Sequence, residues 1–145
     1  MADFQWYLAE LIMEITVSGA ARNVVHRNLT LVRARSADEA HEKAVGFGYK
    51  AETTYDNPAG QQVLIAFRGL GSLEEMYEPL EDGAELTFEE FVSVPREEIE
   101  SWIPPKEKLS AFAPPKPGRE HDPDYRSAEL MRKAVEQLGR SRQQE

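Results

Sequence analysis

The chain has no cysteine in its 145 residues. That absence excludes a disulfide framework and a thiolate metal site, and with them the stapled mini-protein that a short secreted chain usually becomes. Stability must rest on packing alone. Histidine is also scarce: His26, His41 and His121 are the three present, and none is close enough in sequence to another to form the short spacings of zinc sites, so no metal is expected. Long apolar runs are missing too, because Glu10 and Glu14 interrupt the first one before it reaches spanning length. No membrane association is expected from it. Positive charge is in deficit, with 17 Lys and Arg against 26 Asp and Glu, a net charge of −9. A phosphate backbone is repelled by such a chain, so nucleic acid is not an expected partner.

Recognisable catalytic and cofactor motifs are likewise lacking. Gly69-Leu70-Gly71 has neither the third glycine nor the following helix of a dinucleotide loop, no Walker lysine motif occurs, and no serine sits in a nucleophile elbow. The expectation is no cofactor and no catalytic residue. Met1-Ala2-Asp3-Phe4-Gln5-Trp6 carries no basic leader region, which points to a cytoplasmic protein.

What is present is strand patterning. Residues 4–17 alternate, with Tyr7, Ala9, Leu11, Met13, Ile15 and Val17 on the face expected to be core and Trp6, Leu8, Glu10, Ile12, Glu14 and Thr16 on the other. After a turn at Ser18-Gly19-Ala20-Ala21, residues 23–35 alternate again, with Val25, Leu29 and Leu31 on one face and His26, Asn28 and Thr30 on the other. Ser36-Ala37-Asp38-Glu39 is a capping box that starts a helix with a narrow stripe, Ala37, Ala40, Ala44 and Val45, and Gly46 and Gly48 mark its expected end. A short strand over 51–55, a turn over 56–60 and a strand over 62–68 make a second hairpin. Residues 73–80 are ambiguous and could continue that strand through a bend or bulge. Ala84–Val94 reads as a last strand whose pattern Phe91 breaks, and residues 95–102 as a short helix.

These elements predict an α+β domain over 1–103, an antiparallel sheet of about five strands in the order β-β-α-β-β-β-α with one helix on a face. A proline-rich linker over 104–124 and an amphipathic helix with frayed tail over 125–145 follow. In that helix Ala128, Met131, Val135 and Leu138 form an apolar stripe ending at Gly139. A single helix of this length is marginal in water and needs a surface to cover it, in its own body or in a partner. Its own cover could be Phe4, Trp6, Leu8 and Ile12, which makes the helix a lid, or those side chains form an exposed patch.

Runs at Trp6–Ile15, Asn23–Leu29, Phe67–Leu70 and Leu80–Leu86 resemble, in order and spacing, the bacterial family called domain of unknown function 4288, over roughly residues 5–110. The resemblance implies a bacterial, cytoplasmic source and carries no activity to any position. The terminal helix lies outside it.

Two functional expectations follow from the residues. The first is a non-enzymatic protein-interaction module, an acidic body with a partner-binding helix of Ala128, Met131, Val135 and Leu138, whose partner is another protein or a second copy. An immunity or antitoxin-like role, or a subunit of a larger complex, is its concrete form, because an acidic surface can occlude a basic one. The second is a small-ligand binder or enzyme using Glu10, Glu14, His26, Asn28 and Arg68 on one sheet face. It depends on a register that sets Val17 opposite Asn23 and Glu14 opposite His26, and the bland alternative there is a cross-strand ion pair on a solvated face. Glu10 and Glu14 lie about 13 Å apart along a strand. That exceeds the roughly 5 to 9.5 Å of glycosidase carboxylate pairs.

Overall fold

The computed structural model describes residues 3–114 and 121–143. Two compact units divide the chain, Met1–Thr87 with His121–Glu145, and Phe88–Glu120. Residues 88–103 thus group with the segment that follows them, and 121–124 group with the sheet.

The first unit is built on β1 (Gln5–Val17), β2 (Val24–Ala34), α1 (Ala37–Lys50), β3 (Thr53–Asp56) and β4 (Gln62–Glu75), and ends in α3 (Ala128–Gln143). The sheet is antiparallel with strand order β2-β1-β4-β3, so the longest-range pairing, β1 with β4, sits at its centre. The odd residues of β1 do face the core: Tyr7, Ala9, Leu11 and Met13 pack with Val32, Ala34 and Phe67 beneath Ala40 and Ala44 of α1. A second cluster, Ile15, Val17 and Val63, continues the same face beyond the helix. Each of these large side chains contributes about 1.5–3 kcal/mol by leaving water.

α1 starts where the capping box places it, with the Glu39 amide donating to Ser36 Oγ at 3.1 Å. The Glu39 carboxylate reaches past the cap to the Arg35 amide (3.2 Å). The helix does not stop at Gly46 or Gly48 but runs to Lys50. Gly48 is a contact residue: a Cβ there would overlap the Phe67 ring, so its missing side chain lets the helix backbone seat on the aromatic.

β4 is seven residues longer than the strand expected over 62–68, because it passes through two irregularities. Met13 pairs with Phe67 and Ile12 with Gly69, then Leu11 with Leu70 and Glu10 with Ser72, which leaves Arg68 and Gly71 as extra residues. Each is a one-residue bulge that turns the following side chains over. Gly69 takes φ +139, open to glycine and costly for other residues. The core-facing series along this strand therefore reads Val63, Ile65, Phe67, Leu70, Leu73, with spacing two, two, three, three.

Among the described residues four strands form, against about five expected. Ala84–Val94 is not a strand: Phe88 and Val92 are exposed, and Ser93 adopts φ +60, which ends any extended run. In the second unit, α2 (Arg96–Ser101) follows Pro95 with Glu97 and Glu98 in its first turn, as the helix dipole favours. Phe91 and Trp102 pack with their ring centroids 5.2 Å apart and their planes tilted by 52°.

Candidate functional site on the open face of the sheet

α1 covers one face of the sheet. On the other, β1 presents its even residues and β2 its odd ones. An antiparallel sheet commonly leaves one face to water, and that face is then polar. Here it is mixed: β2 exposes Val25, Leu29 and Leu31, β4 exposes Leu64, and Leu29 keeps 58% of its surface in solvent.

Two ion pairs cross this face. Arg27 on β2 donates to Glu10 Oε1 through Nε (3.0 Å) and Nη2 (2.7 Å). Gly71 makes room for that carboxylate, because a Cβ at the bulge would occupy the place of Glu10 Oε1 and come within 3.0 Å of Ile12. Glu10 is consequently shielded, with 15% of its side chain exposed against 70% for Arg27. Glu14 is held from two sides, by the Asn23 amide at 2.6 Å and by Arg68 of the bulge at 3.8 Å. Pairs between exposed groups contribute about 0–1 kcal/mol, so they order the face more than they stabilise the fold. Exposed aliphatic side chains around ordered charges are the composition of a protein-binding patch.

The five residues expected to form a ligand cluster do not share a face. The expected register is off by one: Met13, not Glu14, is opposite His26, and Leu11 is opposite Asn28. Because side chains alternate, a one-residue slip moves a whole strand to the other face. Glu10, Glu14 and Arg68 therefore meet on the open face, while His26 and Asn28 lie on the α1 side. Arg27 and Asn23, which the sequence reading passed over, take the places beside the two glutamates. Among the described residues no group of three or more His, Asp and Glu could hold a metal, and no helix is long and apolar enough to cross a membrane.

His26 has a structural partner instead, the Tyr125 ring, edge-on at 5.4 Å. Tyr125 belongs to a short strap, residues 121–127, laid on the α1-side face beyond the helix. Tyr55 Oη donates to the Tyr125 carbonyl. Asn57, buried, donates through Nδ2 to the Asp124 carbonyl (3.0 Å) and accepts through Oδ1 from the Ala59 and Gln61 amides. Arg22 lies 3.8 Å from Asp122. Burial raises the Tyr55 phenol above its ordinary value, with Tyr125 and Asp124 adding to the shift. Asp124 is lowered, chiefly by the hydrogen bonds from the Arg126 guanidinium.

α3 follows the strap directly and buries none of its residues: Leu130, Met131, Val135 and Leu138 are all exposed. The stripe expected from the sequence is present on a helix that runs past Gly139 to Gln143, and none of that helix is buried, as a lid would be.

A family model described as domain of unknown function (DUF4288) matches residues 6–88, more than half of the chain. The matched stretch contains α1 and all of the sheet but Gln5, and α3 lies outside it. No curated protein and no solved structure matches the chain.

Proposed function

The chain belongs to the family described as domain of unknown function (DUF4288), and since that membership brings no activity with it, we propose from the surfaces of its sheet that it is a non-enzymatic protein-interaction module. The observation that carries this reading is the open face, where Val25, Leu29, Leu31 and Leu64 stand exposed around the Glu10–Arg27 and Glu14–Arg68 pairs. Ordered side chains of this kind cost little entropy on binding, and their aliphatic neighbours supply the area. The exposed stripe of α3 is a second contact element. An immunity or antitoxin-like role in a bacterial cytoplasm is the concrete form we favour, supported by small size, absence of cysteine and a net charge of −9 that complements a basic partner. A ligand site built from Glu10, Glu14, His26, Asn28 and Arg68 has no comparable support, because the register separates its members.

The test is capture from native lysate with three full-length baits: the wild-type chain, Leu29→Asp with Leu31→Asp, and Met131→Asp with Leu138→Asp. A specific protein held by the wild type and lost by either double variant supports the reading. Identical recoveries from all three baits would end it.

A further inference from the structure

The strap and the side chains that hold it come from separate parts of the chain. Arg22, His26, Tyr55 and Asn57 lie within the family match at residues 6–88, and the strap at 121–127 lies outside it. The family domain brings the contacting side chains, and a segment beyond the domain brings the peptide they contact. We propose that these four residues form a peptide-binding site, that the strap is its resident ligand, and that a separate peptide of the same chemistry takes the strap's place in exchange. This site is on the α1 side of the sheet, independent of the open face and of the α3 stripe.

The receptor half is built without help from the strap. A side-chain amide can accept twice and donate twice, and Asn57, 1% exposed, uses all but one of these positions in its own turn. Its Oδ1 accepts from the Ala59 and Gln61 amides, and Nδ2 donates to Gln61 Oε1 at 2.9 Å. The remaining Nδ2 proton goes to the Asp124 carbonyl. Because the turn fixes the amide plane, that donor keeps its direction whichever peptide lies there. Tyr55, two residues earlier, packs on Ile15, Val17 and Val63, so its hydroxyl is held in place by the core.

The ligand half is also organised by itself. Pro123 restricts the backbone around it, and Asp124 closes a turn on Arg126, accepting from its amide (3.1 Å) and its guanidinium (2.9 and 2.8 Å). A segment ordered in advance loses less entropy when it docks. The contacts between the halves are of two kinds. The Asp124 and Tyr125 carbonyls are groups that any peptide offers, so they attach without selecting. Selection comes from the Tyr125 ring against His26 and from Asp122 beside Arg22. Attachment by main chain with selection by side chains is how extended peptides are recognised elsewhere. The ligand class is therefore a short segment with an acidic residue three places before an aromatic one. Exchange is within reach because few contacts hold the strap and Tyr125 keeps 41% of its surface in solvent, so this segment opens more readily than the sheet.

Fluorescence anisotropy of a labelled peptide of residues 121–127, titrated with full-length proteins, tests the proposal. The double variant Asp122→Ala with Tyr125→Gly weakens the resident strap and leaves the site whole. It should bind the peptide about tenfold or more tighter than the wild type, whose sites are filled in most molecules. Adding Tyr55→Phe to that variant should weaken binding by about two- to tenfold, the effect of one hydrogen bond. An unlabelled peptide with alanine in place of Asp122 and Tyr125 should compete poorly. No binding to the double variant, equal binding to wild type and double variant, indifference to Tyr55→Phe, or full competition by the alanine peptide would each overturn the inference. A second readout leaves the strap contacts intact. With a nitroxide on Ser127→Cys, the chain's sole thiol, the amide signals of β3 should be broadened, and excess unlabelled native peptide should restore them. Signals that stay broadened at every peptide concentration would mean that the strap does not yield its place, and would overturn the inference as well.

Discussion

The same four strands present two different surfaces. On the α1 side, β1 hides Tyr7, Ala9, Leu11, Met13, Ile15 and Val17, closed over by α1 and the strap. On the open side it shows Glu10, Ile12 and Glu14, flanked by exposed aliphatic residues of β2 and β4. Since strand side chains alternate, one 13-residue segment specifies both. The odd positions carry most of the folding free energy, and among the even ones Leu8 is buried as well, which leaves the stretch from Glu10 to Thr16 available for recognition. Buried residues of the covered face tolerate little change in volume. The open face can be altered without loss of the fold, and for that reason a binding surface can be remodelled there.

The most direct way to break this comparison is to truncate one large residue on each side. Phe67 sits at the centre of the covered face, beneath Gly48 and edge-on to Tyr49 at 5.2 Å. Phe67→Ala should cost about 3–5 kcal/mol in urea unfolding, from lost transfer free energy and the cavity left behind. Leu29→Asp on the open face should change stability by no more than about 0.5 kcal/mol. Comparable losses at the two positions would mean that the open face is packed in solution and that the division between the faces is wrong.

A subtler comparison lies within α1. Gly46 and Gly48 are two residues apart in one helix, and replacing either by alanine gains up to about 1 kcal/mol of helix propensity. At Gly46 a Cβ meets nothing within 4 Å, so Gly46→Ala should stabilise by roughly that amount. At Gly48 the Cβ would overlap three carbons of the Phe67 ring. Overpacking of that kind costs about 1–3 kcal/mol, so Gly48→Ala should be destabilising overall. Phe67→Leu should recover part of that loss in the Gly48→Ala background. Equal gains at both glycines would show that the helix does not seat on Phe67 as described.

The covered face was largely legible in the sequence and the open face was not, for a physical reason. Burial imposes a period, so the odd residues of β1, the capping box at Ser36 and the α3 stripe could be read from spacing alone. Register leaves no such mark. The eight residues between Ile15 and Val24 permit more than one pairing, and the one adopted turns His26 away from Glu14 and brings Arg27 to Glu10. The bulges of β4 had a signal, the step from spacing two to three across Phe67, Leu70 and Leu73. It is visible only if the strand is followed beyond Arg68. Ala84–Val94 misled because alternation identifies a segment able to be a strand, without supplying the neighbour a strand requires. The strap gave no periodic signal at all, since Tyr55 and Asn57 hold backbone carbonyls rather than side chains.

The smallest expected effect concerns how the strap is attached. Tyr55 must be neutral to donate to the Tyr125 carbonyl, and its phenol is raised above the ordinary value of about 10 by burial first and by Tyr125 and Asp124 next. A group raised in the folded state contributes its full stability below the unfolded value and loses it as the pH climbs through the folded one. At pH 8, therefore, the wild-type chain should be more stable than Tyr55→Phe by about 0.5–1.5 kcal/mol, the net contribution of one hydrogen bond. That lead should shrink above about pH 10, because the unfolded phenol ionises freely there while the folded one resists. Taking the difference between the two proteins in urea at each pH removes the other tyrosines and lysines, which titrate alike in both. A lead that persists unchanged to pH 11 would mean the phenol does not anchor the strap. The α1-side face would then be held at that end by Asn57 and the His26–Tyr125 contact alone, and α3 would be free to swing further from the sheet than its tether to Tyr55 allows.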